Sequence, residues 1–375
     1  MAPRTERRPG NLIGMAATAI DTPALVIDCD AMEHNLRTMA DFFRDKPANL
    51  RPHAKTHKSP VIAHKQIALG AVGITCAKLG EAEVMTEAGI KDILVANQII
   101  GPTKIARLIG LLHHTRVTVA VDDPENLRDL ARAAEAQGVE LDVLVEVNTG
   151  MNRCGVEPGE GAVQLARIAS DLPGIRFRGI QAYEGHLVNI QDNDERAGRV
   201  AAAMAPIIET RRAIEAAGIP VGIVSGGGTG TFAHTGTTAG FDEVQAGSYV
   251  FMDSTYAGVG GIGERFRPAL TVLATVISRP LPERVILDIG RKTLGTDHGT
   301  PALKGYPEGI TFKGFSEEHT TMIVEGPARD LRPGDTVEVI PGHVCTTVNL
   351  YDCYYATRNG AVEAIWPVAG RGRSQ

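Results

Sequence analysis

A lysine in the first part of the chain carries the clearest chemical signal in the sequence. Lys55 ends a candidate strand, residues 50–55, and precedes a helix start at Ser59 and Pro60. In an α/β barrel, a lysine at this end of a strand points its amine into the mouth of the barrel. A buried amine suits a Schiff base with a carbonyl group. A single lysine is more often a solvated surface residue, but the rest of the sequence favours the catalytic role.

Two glycine-rich segments follow later candidate strands and suit the binding of an anion. Residues 225–231 contain three consecutive glycines, and residues 245–249 contain Gly247. Glycines let backbone N–H groups approach a phosphate closely, and in barrel enzymes the loops after strands seven and eight often bind one. Many glycine loops are only turns, so the specific feature is the occurrence of two at the expected strand ends.

Three polar side chains follow two further candidate strands. Arg153 comes after residues 141–148, where it could pair with an anionic oxygen, although a surface arginine after a turn is equally common. Tyr183 and His186 come at the end of residues 177–183, facing the predicted barrel mouth. A lone histidine is more often structural than catalytic.

A histidine and a cysteine near the C-terminus form a candidate metal pair. His343 and Cys345 are two residues apart, so on an extended segment both side chains lie on one face. Imidazole and thiolate together suit Zn²⁺. Two ligands do not complete a site without substrate oxygens or waters, and a buried cysteine beside a hydrogen-bonded histidine is the alternative.

Alternating strand and helix patterns position these residues. After a first candidate strand, Ala24–Asp28, eight more follow, at residues 50–55, 73–78, 92–97, 118–121, 141–148, 177–183, 223–227 and 243–246. Repeated βα units imply a parallel sheet, and eight of them in roughly 200 residues favour a closed (β/α)8 TIM-type barrel. An open doubly wound sheet is the alternative.

The pattern changes after about residue 260, where long helical patterns end. Candidate strands joined by turns follow at residues 269–277, 284–289, 321–324, 336–340 and 361–366. We therefore predict a barrel domain over residues 30–260 and an all-β domain over residues 261–375.

The composition is that of a soluble globular protein. The 375 residues are 43% hydrophobic and 22% charged, and the net charge of −6 gives no basic field for nucleic acid. Five scattered cysteines argue against a disulfide framework and favour the cytoplasm. No apolar run is long enough for a membrane span. Residues 1–10 are basic without the apolar core of a signal peptide, so we predict a disordered tail.

Together these segments resemble the pyridoxal-phosphate enzymes with the alanine-racemase-type barrel. Within that group they are most similar to the D-threonine aldolase / 3-hydroxy-D-aspartate aldolase / D-serine dehydratase family. The resemblance covers nearly the whole chain and rests on residues 21–24, 51–58, 225–231, 247–253, 344–352 and 366–372.

The resemblance implies a role for each candidate residue. It places the Schiff base on Lys55, Arg153 near the phenolic oxygen of pyridoxal 5'-phosphate and Tyr183 near its ring. The implied phosphate ligands are Gly227, Gly228, Thr229, Gly247, Ser248 and Tyr249. His343 and Cys345 match the two protein ligands of a divalent metal, which would be Mn²⁺, Mg²⁺ or Zn²⁺.

The resemblance also implies an assembly. Family members are homodimers in which the β domain of one subunit lies near the active site of the other. Glu318 and His319 match a segment close to that site, and His319 would contact the substrate. The first strand, within residues 21–29, would pair with the β domain, which explains why nine strands are predicted where a barrel needs eight.

Two departures from the family pattern leave two reactions open. Aldolases carry His-x-Asp where this chain has His343-x-Cys345. Dehydratases of the family carry His-x-Cys, as this chain does. Aldolases also tend to have Gln-His where this chain has Val188 and Asn189, and that histidine is a candidate base for the substrate hydroxyl. By contrast, residues 179–185, the glycine loop and residues 366–373 look more like the aldolase branch.

We therefore predict an aldolase that cleaves D-β-hydroxy-α-amino acids to glycine and an aldehyde. Its base would be His186 or a metal-bound water, because Asn189 cannot serve as one. The alternative is a dehydratase that releases a 2-oxo acid and ammonia. A pyridoxal-phosphate carrier without activity is less expected, because such proteins usually consist of the barrel alone. A racemase would need a second base, and none can be assigned.

Overall fold

The structure is a computed structural model that describes residues 12–375. The N-terminal tail predicted to be disordered lies outside this range. No helix in the described part of the chain is both long enough and apolar enough to cross a membrane.

Strands and helices alternate through the first two thirds of the chain. The elements are β1 (Ala24–Asp28), α1 (Cys29–Phe43), β2 (Asn49–Leu50), α2 (Pro60–Ala68), β3 (Ile74–Cys76), α3 (Leu79–Glu87), β4 (Asp92–Val95), α4 (Pro102–Leu111), β5 (Arg116–Val121), α5 (Pro124–Ala136), β6 (Leu141–Glu146), α6 (Glu160–Asp171), β7 (Ile175–Ala182), α7 (Asn193–Ala216), β8 (Ile223–Gly226), α8 (Phe232–Thr235), β9 (Glu243–Val244) and α9 (Ser254–Ala257).

Strands β2 to β9 form one parallel sheet in the order β2-β9-β8-β7-β6-β5-β4-β3. Its two outer strands meet just past the end of β2, where Pro52 O accepts from Thr75 N–H at 2.9 Å and Thr75 O accepts from Ala54 N–H at 2.7 Å. These bonds complete the ring directly beside Lys55. The predicted (β/α)8 TIM-type barrel is confirmed, and the open sheet is excluded.

The helices cover the barrel with amphipathic faces. In α5, the Asp123 side chain caps the first turn by accepting from Asn126 N–H at 2.7 Å, and Pro124 occupies the first helical position. The helix buries Leu127 and Leu130 against the barrel, as the apolar spacing predicts. After β8 and β9 the helices shrink to one turn, which leaves room for loops at that end.

The remaining elements form a second sheet. They are β10 (Leu270–Leu281), β11 (Arg284–Leu287), β12 (Ala302–Leu303), β13 (Ile310–Phe315), β14 (Thr320–Val324), β15 (Thr336–Ile340), α10 (Val344–Val348), β16 (Cys353–Arg358) and β17 (Ala361–Pro367). The sheet runs β13-β14-β11-β10-β1-β16-β17, with β15 beside β10 and β12 beside β15. Strand β1 lies inside it, antiparallel to β10 and parallel to β16. The first strand thus pairs outside the barrel, as the resemblance implies.

One hydrophobic cluster joins the two sheets. It contains Val244 and Tyr249 from the barrel side together with Val272 and Tyr354 from the second sheet, and all four are almost completely buried. This continuous packing fixes the loops of the second sheet over one end of the barrel. The connection between β15 and β16, which includes α10, carries His343 and Cys345.

Candidate active site

A cavity of about 660 Å³ opens where the barrel loops meet the second sheet. It lies at the carboxyl ends of the barrel strands, the end at which barrel enzymes place their sites. Most of the predicted residues line it, namely Lys55, Arg153, Tyr183, Gly227, Gly228, Thr229, Gly247, Ser248, His343 and Cys345. Segments nearly 300 residues apart in the chain therefore meet in one place.

Lys55 lies in the turn after the first barrel strand. The strand is shorter than predicted, because its regular pairing ends at Leu50 and only a bridge at His53 continues it. The Lys55 Nζ atom is 5.7 Å from the centre of the Tyr183 ring, and the guanidinium carbon of Arg153 is 5.5 Å from the same ring. The aromatic ring thus holds both cationic side chains at the cavity through cation–π contacts.

A hydrogen bond connects the two glycine loops. The Thr229 hydroxyl in the first loop accepts from Tyr249 N–H at 3.0 Å in the second. Within the first loop, Gly227 N–H donates to the buried Glu184 carboxylate at 3.1 Å, and Gly228 N–H donates to the Thr231 hydroxyl at 3.0 Å. These contacts fix the shape of the first glycine loop and engage the Gly227 and Gly228 N–H groups.

Thr56 links the second glycine loop to the candidate metal pair. A side chain at Gly247 would place its Cβ 2.7 Å from Thr56 Oγ1, so only glycine fits there. The same oxygen is 3.3 Å from Cys345 Sγ. Thr56, the residue after Lys55, therefore touches both the second glycine loop and Cys345.

His343 and Cys345 lie together, although not on an extended segment as predicted. His343 caps α10 and Cys345 belongs to its first turn. His343 Nδ1 is 3.0 Å from Asp253 Oδ2, which leaves Nε2 as the available ring nitrogen. Asp253 is fully buried, and the same oxygen accepts from Val344 N–H at 3.2 Å. This carboxylate orients the imidazole as carboxylates do behind metal-bound histidines.

The electrostatics favour a thiolate at this pair. Burial tends to raise the pKa of Cys345, but the hydrogen bond and charge of His343 and the charge of Lys55 lower it overall. Burial tends to lower the pKa of His343, but its bonds to Asp253 and Cys345 raise it to about 10. A metal would replace the proton between these two groups. Among residues 12–375, no group of three His, Cys, Asp or Glu side chains is placed to hold a metal ion, so protein ligands alone would not complete the site.

Two family models match the chain. "Alanine racemase, N-terminal domain" covers residues 27–255, and "Putative serine dehydratase domain" covers residues 269–357. A D-threonine aldolase from Arthrobacter sp. is 40% identical over 95% of this chain and 94% of its own length. A 3-hydroxy-D-aspartate aldolase from Paracoccus denitrificans (strain Pd 1222) is 38% identical over 96% and 95%. The chain belongs to the D-threonine aldolase family.

A solved structure agrees with this assignment. The D-threonine aldolase from Filomicrobium marinum superposes with a TM-score of 0.93 at 42% identity, covering 96% of this chain and 98% of that one. A D-threo-3-hydroxyaspartate dehydratase from Delftia sp. (strain HT23) is more distant, at 30% identity over 92% and 96%. The predicted family, fold and enzyme class are confirmed, since the more similar named relatives are carbon–carbon lyases.

Membership in the D-threonine aldolase family implies pyridoxal phosphate as cofactor, and the lining suits that molecule. The lining offers the Lys55 amine, the Arg153 guanidinium and the Ser248 and Thr229 hydroxyls, which are the kinds of group that would bind its aldehyde, phenolic oxygen and phosphate. Ser248 also begins a short 3₁₀ helix, so its N–H has no acceptor within that helix. The cavity volume is within the range of about 300–1,000 Å³ usual for small-molecule sites.

Three of the predicted site residues do not line the cavity. The Tyr249 hydroxyl is buried and accepts from Gln66 Nε2 at 3.0 Å, so only its backbone approaches the loop. His186 belongs to a short 3₁₀ helix behind the lining residue Gly185, with its Nε2 near Gly150. His319 is exposed in the turn between β13 and β14. Neither histidine therefore lines the cavity.

Two lining or supporting residues, Asp253 and His298, have no local sequence signal that gives them a role. Asp253 lies in a segment that carries the family resemblance, but no local pattern shows that its carboxylate supports His343. His298 lines the cavity from a loop of the second sheet. Its ring centre is 5.7 Å from that of His343.

A charge added at Gly228 tests the loop assignment. In a Gly228→Asp variant we expect the cofactor Kd to rise at least about tenfold. Like charges 4–6 Å apart at an effective dielectric of about 20 repel by roughly 3–4 kcal/mol before screening. A Cβ at this position would also lie 3.2 Å from Val188 Cγ1. Titration of the apoprotein with pyridoxal phosphate measures the effect.

The control is Gly228→Asn, which adds the same bulk without the charge. A Kd for Gly228→Asp equal to that of Gly228→Asn would show that the loop does not face the phosphate.

Proposed function

We propose that this chain is a pyridoxal-phosphate- and metal-dependent aldolase that cleaves D-β-hydroxy-α-amino acids to glycine and an aldehyde. The observation that carries the proposal is that Lys55 and the His343–Cys345 pair line the same cavity. The names of the D-threonine aldolase and the 3-hydroxy-D-aspartate aldolase, both near 40% identity, support the choice of reaction.

Each side chain has a defined task in this proposal. Bound pyridoxal phosphate supplies a conjugated ring that stabilises negative charge at Cα. Lys55 holds the cofactor through its amine and, once free, can carry a proton to Cα. Arg153 hydrogen-bonds the phenolic oxygen, and Tyr183 positions the Lys55 and Arg153 side chains. The glycine loops hold the phosphate.

His343 and Cys345 hold the divalent metal, Mn²⁺, Mg²⁺ or Zn²⁺, in the same proposal. A metal there supplies Lewis acidity toward a substrate oxygen. Asp253 fixes the imidazole, and Thr56 donates to or accepts from the sulfur at 3.3 Å. Thiolate and imidazole favour Zn²⁺ over the harder Mn²⁺ and Mg²⁺.

A dehydratase is the second candidate function. One observation favours it, the cysteine at position 345, which matches the pair that dehydratases of the family carry. Both reactions use the same cavity and the same cofactor, so they differ only in which bond at the substrate breaks.

Product analysis distinguishes the two reactions. We expect glycine and an aldehyde when the protein is supplied with pyridoxal phosphate, Zn²⁺ or Mn²⁺ and D-threonine, D-phenylserine or 3-hydroxy-D-aspartate, with D-serine included to detect dehydration. Chromatography of the amino acid and trapping of the aldehyde give the measurement. Ammonia with a 2-oxo acid in place of glycine would assign the dehydratase reaction.

We also propose a cytoplasmic homodimer. The five cysteines are all free, which is typical of a reducing compartment. The exposed turn that carries His319 suits a contact with a second subunit, since it lies away from the cavity of its own chain. In such a dimer His319 would contact the substrate bound by the partner. Light scattering of the purified protein measures the assembly.

A further inference from the structure

Three histidines line the described cavity, His53, His298 and His343. An aldolase needs a group that accepts the proton of the substrate β-hydroxyl, and imidazole is the side chain most often used for such a transfer. Asn189 also lines the cavity, but an amide does not accept a proton at neutral pH. Among the side chains that line the cavity, the three histidines are therefore the first candidates for this base.

Two of the three are already engaged. The His53 ring is almost fully buried, accepts from Lys55 N–H at 3.4 Å through Nδ1 and also hydrogen-bonds the Thr75 backbone. His343 holds Asp253 through Nδ1 and lies beside the Cys345 sulfur. His298 is solvent-exposed on one side and faces the cavity on the other.

Several contacts hold the loop of residues 295–300 against the metal pair. Gly295 N–H donates to the Thr347 hydroxyl at 3.1 Å, and the Asp297 carboxylate accepts from the Thr346 hydroxyl at 2.5 Å. At the other end of the loop, Thr300 O accepts from the Ser254 hydroxyl at 2.6 Å. The loop is thus fastened on both sides of His298, once to α9 and twice to α10.

Two glycines let this loop approach so closely. A Cβ at Gly342 would lie 2.2 Å from His298 O, and a Cβ at Gly299 would lie 2.2 Å from Thr255 Oγ1. Gly299 also has a positive φ of 64°. The approach places the His298 ring edge-on to that of His343, with centres 5.7 Å apart and planes at 80°.

We propose that His298 is the catalytic residue that takes the proton of the substrate β-hydroxyl. The inference rests on the proposed aldolase function. The hydroxyl O–H bond breaks and its proton moves to the imidazole. The oxygen electron pair forms the second bond of the aldehyde carbonyl, the Cα–Cβ bond breaks, and its pair stays on Cα. Cα then takes up a proton to give glycine, and His298 returns its proton to water.

The test compares His298→Ala with the wild-type holoenzyme on D-threonine. We expect kcat to fall by about 10²–10⁴-fold, the usual contribution of general acid–base catalysis, with KM changed less than about threefold. Added imidazole should restore at least about tenfold of the lost rate, because the exposed side of the loop admits it. His114→Ala is the matched control, an exposed histidine at the opposite end of the barrel that should keep full activity.

Readouts without turnover separate this role from a structural one. His298→Ala should keep wild-type cofactor and metal content. It should also give the wild-type spectral change with D-alanine, which lacks a β-hydroxyl. Loss of the metal, or a kcat within about threefold of wild type, would overturn the proposal while the wild type still cleaves D-threonine. A wild type that yields only ammonia and a 2-oxo acid would overturn the aldolase function and, with it, the role of His298.

Discussion

A Lys55→Ala variant should lose aldolase activity by at least about 10³-fold, because one amine is asked both to hold the cofactor and to move a proton. The purified variant should also lose the visible absorption of the lysine–cofactor linkage. This amine lies inside the cavity, where Lys55 Nζ is 5.7 Å from the centre of the Tyr183 ring. Absorption spectra and initial rates measure the two effects.

Lys55→Arg separates the amine from its charge. The guanidinium keeps the cationic contact with Tyr183 but is not nucleophilic at neutral pH. We expect the arginine variant to lose the visible band as completely as the alanine variant, with cofactor held only by the phosphate loops. Circular dichroism should show both variants folded, because Lys55 lies in a turn outside the regular strand. A visible band in purified Lys55→Ala would assign the linkage to another residue.

Local sequence is sufficient to predict the barrel because each βα unit buries its own apolar strand and the apolar face of its own helix. Strand ends are harder to place. Of residues 50–55 only Leu50 lies in regular strand, because beyond it the chain turns toward the cavity after a single bridge at His53. The turn is the feature that delivers Lys55 to the site.

The second sheet could be predicted only in part. Three strands were missed, β12 (Ala302–Leu303), β13 (Ile310–Phe315) and β16 (Cys353–Arg358). Strand β13 is mostly half-exposed or exposed, so its alternation is weak. Strand β16 pairs with β1 more than 300 residues earlier, for example Val26 with Tyr355. Its place in the sheet comes from distant partners that no local pattern shows.

The same distinction explains which site residues the sequence analysis found. Lys55 and the glycine loops follow barrel strands, so the fold alone brings them together. Asp253 meets His343 from 90 residues away. His298 reaches it through a loop whose path depends on Gly299 and Gly342. These positions depend on tertiary contacts, and residue spacing contains no information about them.

The second large loss of activity is expected when either residue of the metal pair is replaced. The His343→Ala and Cys345→Ala variants should each lose the metal, and kcat/KM should fall at least about 10²-fold. A Lewis acid stabilises the transition state by several kcal/mol, and each 1.4 kcal/mol or so changes the rate about tenfold. Both variants should keep bound cofactor, because Lys55 and the loops are intact. Metal analysis, cofactor absorbance and rates with D-threonine measure the three quantities. Full wild-type turnover after exhaustive chelation would disprove the metal requirement.

Two further variants should change the affinity or the preference for the metal while both ligand positions keep a ligating side chain. Asp253→Asn keeps the shape of the support but removes its charge, and a change behind a metal ligand typically costs about 10–100-fold in metal affinity. Cys345→Asp replaces the soft thiolate by a hard carboxylate, which should move the metal preference from Zn²⁺ toward Mn²⁺ and Mg²⁺. If the cysteine permits dehydration, Cys345→Asp should also abolish any ammonia released from D-serine while glycine release from D-threonine continues. Unchanged ammonia release would show that the residue at position 345 selects the metal and not the bond that breaks.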